Sequence, residues 1–190
     1  MAKLWLGKEQ QMANLKASSL VRRFGSNVAG AAHGKPILDV ACGSGRNAFF
    51  LSSLGATVIC MDRELTRLRE YLTQNASAGF IEGADRLVPH QIDLVKAAWP
   101  FDCGNAGGII NVHFTLPALF PFFANSLIPN GYLLIETIPG CGENFMDLPK
   151  RGELKTALEP HFDFEMYKES PVGRPEGNAV TVKLVATRRA

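Results

Sequence analysis

The 190-residue chain has only four cysteines, at 42, 60, 103 and 141, with no Cys-x-x-Cys pair and no histidine at zinc-finger spacing. That pattern speaks against a disulfide framework and against a metal site. The four read as small, mostly buried thiols in a reducing compartment. Long hydrophobic runs are missing too, since none approaches the ~18 residues of a membrane-spanning helix. The opening Met1-Ala2-Lys3-Leu4-Trp5-Leu6 turns polar at once in Gly7-Lys8-Glu9-Gln10-Gln11, which leaves no signal-peptide core. A cytoplasmic protein without membrane contact is expected. Charge of one sign is equally scarce, with 20 basic against 18 acidic side chains and a net charge of +2. That balance argues against nucleic acid as the main partner. Over residues 1–24, Lys3, Lys8, Lys16, Arg22 and Arg23 face Glu9 alone, and this reads as a solvated helix face rather than a basic arm for an anionic partner.

What is present is the composition of one globular domain, 46% hydrophobic and 20% charged in 20.7 kDa, long enough for a full core. Residues 1–24 are expected as an N-terminal helical segment, with a helix over 8–24 ended by Gly25, and residues 25–190 as the domain proper. Apolar strands at 35–41, 56–61, 87–94 and 107–113 alternate with helical stretches at 46–54, 64–75 and, after Pro121, up to about 127. A turn at Pro129-Asn130-Gly131 leads into the strand 132–137, and a short helix over 151–159 stops at Pro160. Two strands, 162–169 and 180–187, close the chain with no helix between them. Strand–helix alternation with near-continuous apolar strands predicts an α/β fold, a doubly wound, mostly parallel Rossmann-like sheet of about seven strands with an antiparallel C-terminal strand. Its ligand should sit beyond the strand C-termini.

The chemistry is concentrated in Ile37-Leu38-Asp39-Val40-Ala41-Cys42-Gly43-Ser44-Gly45-Arg46-Asn47. A strand entering a glycine-rich turn and then a helix lets backbone approach a ligand closely, and the helix N-terminus favours an anionic group. Asp62 ends the next strand, where a carboxylate can accept both hydroxyls of a ribose. Together these features predict an adenosine-containing ligand. The glycine spacing alone leaves a dinucleotide open. Asp39, four residues before the first glycine, is the sharper cue, because a carboxylate there suits an amine or sulfonium better than a pyrophosphate. No Gly-Lys-Ser/Thr follows, so the turn is not a nucleoside-triphosphate loop.

These strings resemble the first motif and the ribose acid of the class I S-adenosylmethionine-dependent methyltransferases. The Cys42-Gly43-Ser44-Gly45-Arg46-Asn47 core is most similar to the small bacterial methyltransferases of the tellurite-resistance type. Further similarity lies in Gln91-Ile92-Asp93-Leu94, in Gly131-Tyr132-Leu133-Leu134-Ile135-Glu136-Thr137 and in Gly152-Glu153-Leu154. The resemblance implies S-adenosylmethionine as cofactor, with S-adenosylhomocysteine as product. It implies that Asp39, Gly43 and Gly45 hold the methionyl end, Asp62 the ribose and Arg63 the adenosine, with Ala41 and Asn47 also binding the cofactor. Asp93 and Leu94 would flank the adenine, with Asn111 beside the cofactor.

Asn111 and His113 end the fourth strand, where the transferable methyl would lie, and are the candidate catalytic residues. Alternation puts both on one face, with His113 as general base or orienter. Glu136 and Thr137 end the fifth strand on the ligand side, and Glu143, Asn144 and Phe145 follow in a loop that could cover an acceptor. Phe114, Phe120, Phe122 and Phe123 suit either an aromatic pocket or the core. The resulting expectation is methyl transfer to an oxygen, nitrogen or sulfur of a small molecule. No Asn-Pro-Pro-Tyr string follows the fourth strand, which disfavours base amines as acceptors. A non-catalytic S-adenosylmethionine-binding module and a nicotinamide-dependent oxidoreductase remain open from the residues.

Overall fold

The structure is a computed structural model that describes residues 16–78, 82–139, 148–173 and 177–190. Helix α1 spans Ser19–Ala31, with Ser18 as its N-cap; the Ser18 hydroxyl accepts a hydrogen bond from the Val21 N–H at 3.1 Å. Of the helix expected over 8–24, residues 8–15 lie outside the described residues, and α1 runs on through Gly25. Gly25 is not a stop. A Cβ there would come within 2.8 Å of the Phe50 ring, so glycine is set by helix packing.

Strand β1, Ile37–Val40, is buried along its whole length, as a strand covered on both faces must be. Ile37 joins the core under α1, while Leu38 and Val40 point to the opposite core. Helix α2 (Arg46–Ser53), β2 (Val58–Asp62) and α3 (Thr66–Ala78) follow, and a short 3₁₀ turn leads into β3 (Leu87–Gln91). Then come β4 (Ala106–Val112), a 3₁₀ turn at Pro117–Leu119, α4 (Phe120–Ser126) and β5 (Leu127–Glu136). Helix α5 (Glu153–Leu158), β6 (Phe162–Pro171) and β7 (Val180–Arg188) complete the chain.

The seven strands form one sheet in the order β3-β2-β1-β4-β5-β7-β6. β1 pairs in parallel with both β2 and β4, β2 with β3, and β4 with β5. β7 inserts antiparallel between β5 and β6, as the closing pair of strands predicts. The chain winds outward from β1 to β3 and then returns to β4 on the other side. The crevice between the C-terminal ends of β1 and β4 is thus the topological switch point, where doubly wound sheets bind ligands.

Two local departures from expectation have plain causes. Pro129-Asn130-Gly131 is no separate turn before a strand but a bulge within β5. Ala106 pairs with Leu127 and Gly108 with Tyr132, and Asn130 holds a φ of 63° inside the bulge. Cys42 and Cys60 are buried as expected, but Cys103 is exposed, since it lies in the polar connection before β4. Among the described residues there is no His, Cys, Asp and Glu cluster able to hold a metal ion, and no helix is long and apolar enough to cross a membrane.

Candidate functional site

At the switch point the glycine turn must bend the chain from β1 into α2. Gly43 (φ 56°) and Gly45 (φ 80°) both take left-handed backbone, and a Cβ on Gly45 would come within 2.6 Å of Leu68 Cδ1. A Cβ on Gly43 would meet nothing within 4 Å, because that side of the turn faces the open cleft. Asp62, at the end of β2, reaches across to the turn: its Oδ2 accepts from the Gly43 N–H at 2.8 Å, and its Oδ1 accepts from the Glu64 N–H at 3.0 Å. The carboxylate is fixed by backbone donors and still has acceptor capacity on both oxygens.

The cleft beyond this turn encloses about 500 Å³, within the range of small-ligand sites. Ala41, Gly43, Asn47 and Asp62 line it from the β1 and β2 side, together with Arg63. Ile92, Asp93, Leu94 and Val95 line it after β3, and Val112, His113 and Phe114 after β4. Asp93 is shaped by its own turn, with Oδ1 accepting from the Val95 N–H at 3.1 Å. Gln91 Nε2 donates to the Arg63 carbonyl at 3.0 Å and ties the two walls together. Asn47 holds the start of α1 in place, its Oδ1 accepting from the Ser18 N–H at 2.9 Å.

Three of the sequence-predicted residues do not line the cleft. Gly45 is turned against Leu68. Asn111 is buried and donates from Nδ2 to the Val40 carbonyl at 3.2 Å, bracing β4 against β1. Alternation fails to place it with His113 because His113 lies past the strand end at φ 63°, which redirects the chain. Asp39 is buried at 1% exposure, and its Oδ2 has no partner. Burial pushes its carboxyl up to about 7, against the Ala48 amide and the Arg46 charge, which pull it down, while the Asp62 charge raises it further.

His113 is held by its backbone, whose N–H donates to the Glu136 carbonyl at 2.7 Å. Its ring lies 3.5 Å from an Arg46 guanidinium nitrogen. Partial desolvation, and then the Arg46 charge, lower its pKa, against the opposing pull of Glu136. The imidazole is therefore neutral near pH 7 and available to take a proton. Ala41, at the end of β1, shares the left-handed backbone of His113, with a φ of 59°. Two non-glycine residues in that strained region thus line the cleft, after neighbouring strands. The Cys42 thiol is raised by its hydrogen bond with Cys60 and then by burial, so it stays protonated and is no nucleophile.

Other expectations separate. Thr137 does structural work: its N–H donates to the Val182 carbonyl at 3.0 Å, and its Oγ1 accepts from the Val182 N–H at 2.9 Å. Phe120 and Phe123 are core, Phe122 is exposed, and only Phe114 of the four lines the cleft. Glu143, Asn144 and Phe145 lie outside the described residues. Sequence reasoning missed Arg46 as a site residue. An arginine in the first helical turn reads as surface, and only the fold shows it beside His113.

No family model matches the sequence, and no curated protein does. Solved structures do. TehB from Haemophilus influenzae superposes with a TM-score of 0.61 at 18% identity over 87% of this chain, which spans 61% of that protein's length. The 1,6-didemethyltoxoflavin-N1-methyltransferase of Burkholderia thailandensis, with S-adenosylhomocysteine bound, matches 90% of this chain and 79% of its own at 16% identity and a TM-score of 0.57. The [4+2]-cyclase SpnF matches 88% of this chain and 77% of its own at 12% identity and a TM-score of 0.64. The fold is the Rossmann-like methyltransferase fold. SpnF marks what that likeness leaves to the site itself, since one fold carries more than one chemistry.

Proposed function

We propose that this protein is an S-adenosylmethionine-dependent methyltransferase acting on an oxygen, nitrogen or sulfur nucleophile of a small molecule. The observation that carries the reading is the pair of carboxyl groups at the glycine turn. Asp62 is bonded to the Gly43 N–H, and its charge is close enough to raise Asp39. Such a turn repels a pyrophosphate and suits a cationic amine or sulfonium, which separates this reading from a nicotinamide-dependent oxidoreductase. The neighbour with bound S-adenosylhomocysteine supports the same cofactor.

The residues present fit that cofactor. Gly43 leaves the turn open, Asp62 offers free lone pairs for a ribose, Asp93 and Leu94 border the adenine side, and Ala41 and Asn47 the methionyl side. Asp39, Gly45 and Asn111 act on this site from outside its lining, by charge and by holding the backbone. S-adenosylmethionine, when bound, supplies a methyl group on a sulfonium that is already a good leaving group. The protein's own task is then to hold the acceptor in line at near-attack distance, which can supply roughly 7–11 kcal/mol of the barrier. His113, neutral and on the cleft wall, takes a proton from an acceptor that must lose one, or orients an acceptor that need not. A purely binding role, without turnover, is disfavoured by a second cavity that adjoins the cleft at Arg46 and His113. The acceptor as a small molecule and the cytoplasmic location belong to the same proposal.

Calorimetric titration with S-adenosylmethionine, S-adenosylhomocysteine and NADH tests it. Tight binding of the first two and none of NADH is expected. Preference for NADH would overturn the reading. A screen for acceptor-dependent release of S-adenosylhomocysteine then separates an enzyme from a binding module.

A further inference from the structure

Beside the cofactor cleft lies a second cavity of about 460 Å³, with Arg46 and His113 as the shared wall. Its other sides come from Lys16 and Arg22 near the start of α1 and from Glu136 at the end of β5. Lys16, Arg22 and Arg46 form no ion pair among the described residues. Glu136, the one acidic residue of the lining, is already neutralised: its Oε1 sits 2.9 Å from Lys183 Nζ, which also donates to the Ser19 hydroxyl at 3.1 Å. Its Oε2 is buried and has no hydrogen-bond partner. The cavity thus carries an excess of three positive charges, which disfavours a neutral apolar or cationic guest.

We propose that this cavity is the acceptor subsite and that it takes a small organic acid that also carries a hydroxyl or amine. The proposal rests on the methyltransferase reading above and names its substrate class. The carboxylate end faces Lys16 and Arg22, where charge-assisted hydrogen bonds can form. The hydroxyl or amine end lies toward Glu136, at the other side of the cavity. That end also lies nearest His113 and the cofactor cleft, which makes it the methyl-accepting atom. In the transfer, the acceptor atom forms the new bond to carbon as the sulfonium–carbon bond breaks. The electron pair of that bond stays on sulfur, and the acceptor proton passes to His113 or to water.

The test uses matched probes, lactate, glycine and 4-hydroxybenzoate, each beside its carboxamide. Binding is measured by calorimetry with and without saturating S-adenosylhomocysteine, and turnover by S-adenosylhomocysteine release. At least one acid should bind and turn over, with its amide ten-fold or more weaker. The double variant Arg22→Gln with Lys16→Gln lies outside the cofactor cleft. It should weaken that acid ten-fold or more while S-adenosylmethionine affinity and melting temperature stay as in the unaltered protein. Amides that bind as well as acids, no binding by any of the three acids, or an unchanged acid affinity in the double variant would each overturn the proposal. Failure of the unaltered protein to bind S-adenosylmethionine would instead overturn the methyltransferase reading, because the acid titrations without cofactor stand apart from it.

Discussion

The two halves of the site are built in different ways. The half at the ends of β1, β2 and β3 draws its lining from three short stretches, 41–44 with 46–47, 62–63 and 92–95, each at or just after a strand end. The half beside α1 and β5 is assembled from Lys16, Arg22, Glu136 and Lys183, and its Lys183–Ser19 contact joins residues 164 positions apart. The first half is stiffened by backbone donors on Asp62. The second is held by one ion pair, Lys183 with Glu136, and by exposed basic side chains. A turn that must bind one fixed cofactor can be written as a local motif. A pocket that selects among acceptors can be changed one surface residue at a time.

The sharpest way to break this contrast is on the motif side. Asp62→Ala removes the acceptor of the Gly43 N–H together with the proposed ribose contacts, charge-assisted bonds worth ~1.5–3 kcal/mol apiece. S-adenosylmethionine affinity should fall by roughly 100-fold, read by calorimetry, with little change in acid binding at the second cavity. Equal losses in both ligands would mean that the halves are not separable.

Asp39 gives a stability effect with a defined sign. Its folded pKa of about 7 lies above the ordinary carboxyl value, so the folded protein keeps a proton that the unfolded chain has released. Its contribution to stability is fully present below about pH 4 and is lost as pH rises to about 7. Asp39→Asn should therefore leave the cofactor-free protein's denaturation midpoint unchanged at pH 4 and raise it at pH 8, by on the order of 2–4 kcal/mol. A lower midpoint at pH 8 would show the carboxylate to be satisfied and ionised in the fold.

At the shared wall the expected effect falls on turnover and hardly on cofactor binding. His113→Ala should leave S-adenosylmethionine affinity within about two-fold while slowing turnover of an acceptor that must lose its proton, by ~10²–10⁴-fold where His113 is the base. Because its pKa is lowered, the acidic limb of the pH–rate profile should fall below the ordinary histidine value of 6.5 and vanish in the variant. Full turnover with the same limb would return His113 to a structural part.

Much of the fold was legible because burial leaves a trace in the chain. Ile37 to Val40 is apolar on both faces apart from Asp39, and β1 lies covered on both faces. The paired closing strands carried no helix between them, and β7 lies antiparallel between β5 and β6. The failures share a cause in long-range contact. Gly25 looks like a helix stop until Phe50 is seen packing against it. Asn111 looks like a site residue until the left-handed turn at His113 separates the two. Thr137 looks ligand-facing until Val182 is seen to use both its N–H and its hydroxyl. Arg22 and Lys16 read as solvated charge, because nothing near them in the chain indicates the cavity they border.

The insertion of β7 between β5 and β6 has a consequence for the order in which the protein matures on the ribosome. The glycine turn, Asp62 and the Asp93 turn are all made before β4 emerges, and β1, β2 and β3 can pair at that stage. β5 must then wait with an unpaired edge until residues 180–188 are synthesised, because β6 docks through β7 and not directly on β5. An open apolar edge on a nascent chain is an aggregation hazard, and β7 closes it. The Lys183–Glu136 pair arrives with that same strand. The protein therefore acquires its glycine turn early in translation and the Lys183–Glu136 pair beside the second cavity among the last residues made.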